Sequence, residues 1–152
     1  MKHLLTLLRM ISMRFEKFKA EGFGCLKGWE SPDIDKGLVV VCGRNESGKS
    51  TLFKMAETII YGFSPATAQK HSYVPWDSNY AQCGASLLLN GERYIIGRKL
   101  MSRPSAFLKI GDDDPMDIGN TSIPMVEHMP KEVFTEIYAL TSDELNLPSQ
   151  AL

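Results

Sequence analysis

Apolar and polar residues begin to alternate at Ile11, where Ile11, Met13 and Phe15 stand against Ser12, Arg14 and Glu16. A period of two predicts a half-buried strand. A second strand is expected over about 23–29, before a turn at Ser31, Pro32 and Asp33. Leu38, Val39, Val40, Val41 and Cys42 then form an unbroken apolar run rich in β-branched residues, the pattern of a buried parallel strand. The period next lengthens. Leu52, Met55, Ala56, Ile59 and Ile60 share one helical face, and Gly62 is a natural stop. Residues 64–81 show no clean period and contain Pro65 and Pro75, so a surface loop is expected there. Ala85, Leu87 and Leu89 alternate again, Asn90-Gly91 is a strong hairpin signal, and 94–100 supplies the returning strand. A further strand over 106–110 and a turn at 111–115 follow, and residues 124–129 and 130–140 read as helical turns, each opening on a proline.

Between the apolar run and the helix lies the most informative stretch. Gly43, Arg44, Asn45, Glu46, Ser47, Gly48, Lys49, Ser50 and Thr51 complete the pattern GxxxxGK[ST], in the strand–loop–helix context that this motif requires. Gly43 and Gly48 let the backbone wrap so that successive N–H groups converge on phosphate oxygens. The helix start adds unpaired N–H groups and the positive end of its dipole. Lys49 is the candidate catalytic residue, reaching the β- and γ-phosphates, and the Ser50 hydroxyl is the candidate ligand of Mg²⁺. Because the loop binds with its backbone, the side chains of Arg44, Asn45 and Glu46 are free to point away.

Composition adds bounds. The 152 residues carry a formal net charge of −1, which gives no overall electrostatic footprint for nucleic acid, and the length suits one domain. Cys25, Cys42 and Cys83 are widely spaced, without a CxxC pair, and read as reduced thiols of a cytoplasmic protein, two of them core fillers. The apolar stretch within residues 1–10 is too short for a signal h-region or a membrane span, so it is expected to be an N-terminal extension to a domain over 11–152.

Other candidates carry bland readings beside sharp ones. Asp112, Asp113 and Asp114 suit a cation but more simply make a solvated turn. His3, His71 and His128 have no metal-ligand spacing, and His71 is a candidate neighbour of the nucleotide only by its place in the loop. Trp76, near Tyr73 and Tyr80, could stack on adenine or pack on the surface. Arg98, Lys99 and Arg103 could meet DNA phosphates or a partner, or line a solvated strand face.

The segment from Gly43 to Leu52 resembles the G-x-N-E-x-G-K-S-T-L loop of the SMC/RecF-type coiled-coil ATPases, and its Asn-Glu version is similar to that of their YhaN-like AAA-domain branch. Tyr61-Gly62-Phe63, Tyr73-Val74-Pro75-Trp76, residues 98–104, Val133-Phe134 and the stretch from Tyr138 to Leu145 extend the likeness over about 11–145. The resemblance implies an α/β fold: the N-terminal lobe of an ABC-type ATPase head, with a mixed sheet, an antiparallel hairpin and the phosphate-loop helix. It implies ATP and Mg²⁺ as ligands, a C-terminal half supplied in cis or trans, head–head dimers, and DNA and a nuclease as partners, with no membrane. No LSGGQ-like signature or Walker B strand is found in the sequence, and Ile137-Tyr138 is not followed by the glutamine that related heads place there. The expectation is an ATP-binding half-site, inactive or weakly active alone, serving DNA repair or chromosome maintenance. A free-standing small-molecule kinase and a non-catalytic nucleotide-binding module are the alternatives.

Overall fold

The computed structural model describes residues 13–137. Expectations that rest on residues outside this range, among them the N-terminal extension, His3 and the stretch from Tyr138 onward, lie outside the described residues. The chain opens with a long hairpin, β1 (Met13–Phe23) and β2 (Leu26–Glu30), and continues through the loop that carries the glycine motif into α1 (Lys49–Tyr61). Four strands follow: β3 (Ala81–Leu89), β4 (Glu92–Leu100), β5 (Pro104–Ile110) and the short β6 (Met116–Asp117). A second helix, α2 (Lys131–Ile137), closes the described region.

The strands form one six-stranded sheet in the order β2-β1-β3-β4-β5-β6, and every pairing is antiparallel. The β3–β4 register runs unbroken from Ala81 opposite Leu100 to Leu89 opposite Glu92. It is fixed by the two-residue turn at Asn90 (φ 51) and Gly91 (φ 92), whose left-handed backbone matches the twist of a hairpin. Alternation decides the faces. Ala81, Cys83, Ala85, Leu87 and Leu89 on β3 are buried, and so are Tyr94, Ile96, Arg98 and Leu100 on β4. Helix α1 lies on this face, with Met55, Ile59 and Ile60 buried against Phe23, Leu87, Ile96 and Leu108. The helical stripe read from the sequence therefore becomes the core.

The far end of α1 is fastened by polar contacts. Arg98 is 1% exposed and projects from β4 to the last turn of the helix. Its guanidinium donates to the carbonyls of Ile59 (2.8 Å), Ile60 (3.4 Å), Thr121 (2.8 Å) and Gly119 (3.5 Å). Ile59 and Ile60 contribute carbonyls of the last helical turn, where acceptors lack intrahelical partners, and Gly119 and Thr121 contribute loop carbonyls; Ile60 O also accepts from Ile123 N at 2.9 Å. Asn120 adds a two-way link, accepting from Phe63 N at 2.8 Å and donating to Phe63 O at 2.9 Å. Gly62, at φ 89, sits where a Cβ would come within 2.7 Å of Asn120 O. A glycine is needed there for space as well as for backbone freedom. At the same end, Glu57 is nearly buried and pairs with Lys54 at 2.7 Å and with Lys131 of α2 at 2.6 Å.

One expected element does not form. Residues 38–42 take no regular structure, and among the described residues no strand pairs with them. Leu38 is 94% exposed and Val40 70%. A strand buried on both faces needs hydrogen-bonded neighbours and cover on each side. The six strands pair in an order that does not include it, so the sheet is antiparallel throughout the described residues rather than mixed. The loop over 64–80 also differs from a plain surface loop, because His71 and Pro75 are buried in it.

Candidate phosphate-binding site

The glycine loop leads from the exposed apolar run into the first turn of α1. Ser47 N bonds to Arg44 O at 3.2 Å, which closes a tight turn, and Glu46 takes φ 66. Gly48 follows at φ 93 and is the N-cap of the helix, with no side chain bonded to the helix start. Positive φ at both positions makes the chain wrap, and the absence of a side-chain cap leaves the first helical N–H groups facing outward. A Cβ at Gly43 would meet the Ser47 side chain, with Ser47 Cβ 3.2 Å away, so the loop folds closely over this position. Lys49 lies across the loop, donating from Nζ to Gly43 O at 2.8 Å and Arg44 O at 2.7 Å. Ser50 is exposed at the helix start, and Thr51 is half-buried.

The back wall is the β1–β2 turn. A methyl group at Gly48 would come within 3.0 Å of Cys25 Sγ and 3.3 Å of Leu26 Cδ2. Cys25 Sγ also lies 3.5 Å from Thr51 Oγ1. That turn is held in turn by the 71–78 loop: Gly24 N donates to Tyr73 O at 2.6 Å, and the Tyr73 ring stacks on Phe23 with centroids 5.2 Å apart. Sequence reasoning missed Cys25 and Leu26 as neighbours of the loop. No local signal links a hairpin tip to a motif some twenty residues later; only packing does.

The site therefore gathers Gly43, Arg44, Asn45, Glu46, Ser47, Gly48, Lys49, Ser50 and Thr51 at the start of α1, with a compact backbone cradle and an exposed front. Several other candidates fall elsewhere. Arg98 faces the core and not solvent, because its place in the β4 alternation points it at the end of α1. His71 is buried among Phe23, Phe63 and Tyr73, its Nδ1 accepting from Tyr73 N at 3.3 Å. Burial, helped by the charges of Lys54 and Lys131, holds its pKa below the ordinary value. Cys83 is buried, and its thiol is pushed up to about 12 by burial, but Cys25 and Cys42 are exposed, so one core thiol stands where two were expected. Asp112, Asp113 and Asp114 lie on an exposed turn, and among the described residues no group of three or more potential ligands gathers around a metal position. Lys99 rests over the Tyr80 ring at 5.1 Å, and Arg103 is exposed between β4 and β5. A groove of about 710 Å³ lies on the outer sheet face over Gly84 and Gly97, and no residue of the glycine loop lines it.

The glycine loop thus opens a helix that packs on one face of an antiparallel sheet. The sequence profile of the AAA domain family matches residues 13–152, and the chain belongs to that family. Over 67 residues, 44% of the chain, it is 34% identical to the DNA double-strand break repair Rad50 ATPase of Archaeoglobus fulgidus. The matched region is 8% of that protein's length. Among the described residues, no helix is long and apolar enough to cross a membrane.

Proposed function

We propose that this chain is the ATP-binding N-terminal lobe of an SMC/Rad50-like ATPase head, of the YhaN-like branch, and that turnover requires a second lobe. The observation that supports the reading is the juxtaposition of a glycine loop wrapped at the start of α1 with a strand-like sequence leading into it, residues 38–42, that is exposed and pairs with no strand among the described residues. A half-site of this kind holds its ligand but lacks the neighbours that complete the sheet and the chemistry.

The roles follow from the residues. The backbone N–H groups of 43–51 and the open end of α1 would hold the phosphates, and Lys49 would meet the β- and γ-phosphates once its amine leaves the carbonyls of Gly43 and Arg44. Ser50, exposed at the helix start, fits a Mg²⁺ ligand, and the ion would supply charge neutralisation on the phosphates. Phosphoryl transfer of this class is catalysed by positioning and electrostatic stabilisation. This lobe provides the first and part of the second. Attack of water would then wait on the C-terminal half, in cis or trans, and on dimerisation of heads. DNA, a nuclease partner, a role in DNA repair and a cytoplasmic location belong to the same proposal and rest on family likeness. The small-molecule kinase reading takes Arg98 or Arg103 as a lid arginine; Arg98 does not suit that role, since its guanidinium is committed to four carbonyls, which leaves the reading to the exposed Arg103.

The test is calorimetric titration of Mg·ATP into the purified 152-residue chain, alongside a steady-state phosphate-release assay. Binding without turnover is expected, with affinity reduced about tenfold or more in Lys49→Ala, as loss of a charge-assisted contact of about 1.5–3 kcal/mol implies. Steady hydrolysis by the chain alone, abolished by Lys49→Ala, would overturn the half-site reading; absence of binding would overturn the nucleotide assignment.

A further inference from the structure

Trp76 is the most conspicuous side chain the phosphate cradle leaves unexplained. It is 94% exposed, although the loop that carries it is anything but loose. Tyr73 is bonded to Gly24 and stacked on Phe23, Val74 N donates to His71 O at 3.1 Å, and Ser78 N donates to Pro75 O at 2.9 Å. Pro75 is buried, and a methyl group at Gly22 would lie 3.3 Å from its Cγ. The indole is thus displayed on a fixed support. Lys27 reaches it from β2, its Nζ 5.7 Å from the ring centroid while paired with Asp77.

That support is the hairpin turn whose tip, Cys25 and Leu26, packs on Gly48 of the phosphate loop. Lys27, which holds the indole, is the next residue along the chain. A rigid, solvent-facing aromatic ring with a cation on one side therefore stands on the same hairpin that walls the cradle. A ligand held by its phosphates at 43–51 carries its other end away from the loop, and a nucleotide's other end is a flat π-system. We propose that Trp76 is the base-stacking wall of the nucleotide site, a purine ring lying on the indole face not covered by Lys27. This rests on the phosphate loop's binding a nucleoside triphosphate. Stacking needs no hydrogen-bond readout of the base edge, so Trp76 contributes affinity for ATP and GTP alike.

The chain contains two tryptophans, Trp29 and Trp76, so fluorescence reads the contact directly. The purified chain is titrated with Mg·ATP, Mg·GTP and inorganic tripolyphosphate, in wild type and in Trp76→Ala, with affinities taken from calorimetry. Expected is quenching of the wild-type emission by both nucleotides and not by tripolyphosphate, with loss of that quenching in the variant. The variant is expected to bind ATP about tenfold more weakly, as loss of one stacked base implies, and tripolyphosphate as tightly as wild type. Because Trp76 makes little buried contact, the variant keeps its fold, which unchanged tripolyphosphate binding verifies. Equal ATP affinity in both proteins, or equal weakening of ATP and tripolyphosphate, would sink the stacking role while leaving the phosphate loop intact. Failure of the wild type to bind any of the three probes would remove both readings together.

Discussion

His71 shows how a single burial sets a pH response. Its ring packs against Phe23, Phe63 and Tyr73, and its unprotonated Nδ1 accepts a backbone hydrogen bond, so the neutral form is the one the fold holds. The folded pKa lies below the ordinary 6.5, chiefly through burial and then through Lys54 and Lys131. A base with a lowered folded pKa binds fewer protons folded than unfolded, so stability is full above the unfolded value and falls as pH drops below it. Urea unfolding midpoints should therefore decline from pH 7 toward pH 5, at no more than about 1.4 kcal/mol per pH unit. In His71→Phe, which keeps an aromatic ring, that part of the decline should vanish; an unchanged slope would show that His71 protonates freely in the folded chain. From the sequence His71 was legible only as a histidine in a loop near the nucleotide helix. Three aromatic neighbours, drawn from β1, the end of α1 and its own loop, decide its state.

At the scale of elements, the end of α1 is the joint on which the lobe depends. Arg98 brings β4, the helix terminus and the 119–121 loop to one guanidinium, with no carboxylate partner among the described residues. Burial pushes its pKa down to about 10, which still leaves it charged at neutral pH. Among the described residues, its hydrogen-bond partners are carbonyl oxygens. Arg98→Met keeps the length and apolar stem but strands those carbonyls, and should cost about 3 kcal/mol in chemical denaturation. A cost below about 0.5 kcal/mol would mean that water replaces the guanidinium without penalty. The hairpins and the α1 stripe were readable in advance because their signals are local: a period of two around Asn90-Gly91, and a period of 3.6 ending at Gly62. Arg98 was not, since it sits in a strand sequence with Lys99 and Arg103 where a solvated basic face reads equally well. Its partners are distant in sequence, and its inward direction comes from the β3–β4 register.

For the whole molecule, the exposed run over 38–42 is the feature on which the proposed half-site reading turns. Four consecutive large apolar residues, Leu38 to Val41, face solvent. Val40→Asp should leave the stability of the 152-residue chain within about 0.5 kcal/mol of wild type, as for other surface changes. A loss of 3 kcal/mol or more would show that the run is a buried strand in solution, since burying an unpaired carboxylate is among the costliest substitutions. The same variant should weaken association with a second lobe, measured by size-exclusion chromatography once that lobe is supplied.

The sequence by itself determined the glycine loop, the helix it opens and the hairpins of the sheet, because each is specified by residues that are neighbours along the chain. It also determined that 38–42 has the composition of a buried strand. Only the tertiary structure decided that no strand among the described residues pairs with it, that Arg98 and His71 point inward, and that Cys25 and Leu26 wall the loop while Trp76 stays outside. Those outcomes depend on which surfaces meet across the fold. Strand alternation and helical period choose a side for each residue, but the partner waiting on that side comes from elsewhere in the chain.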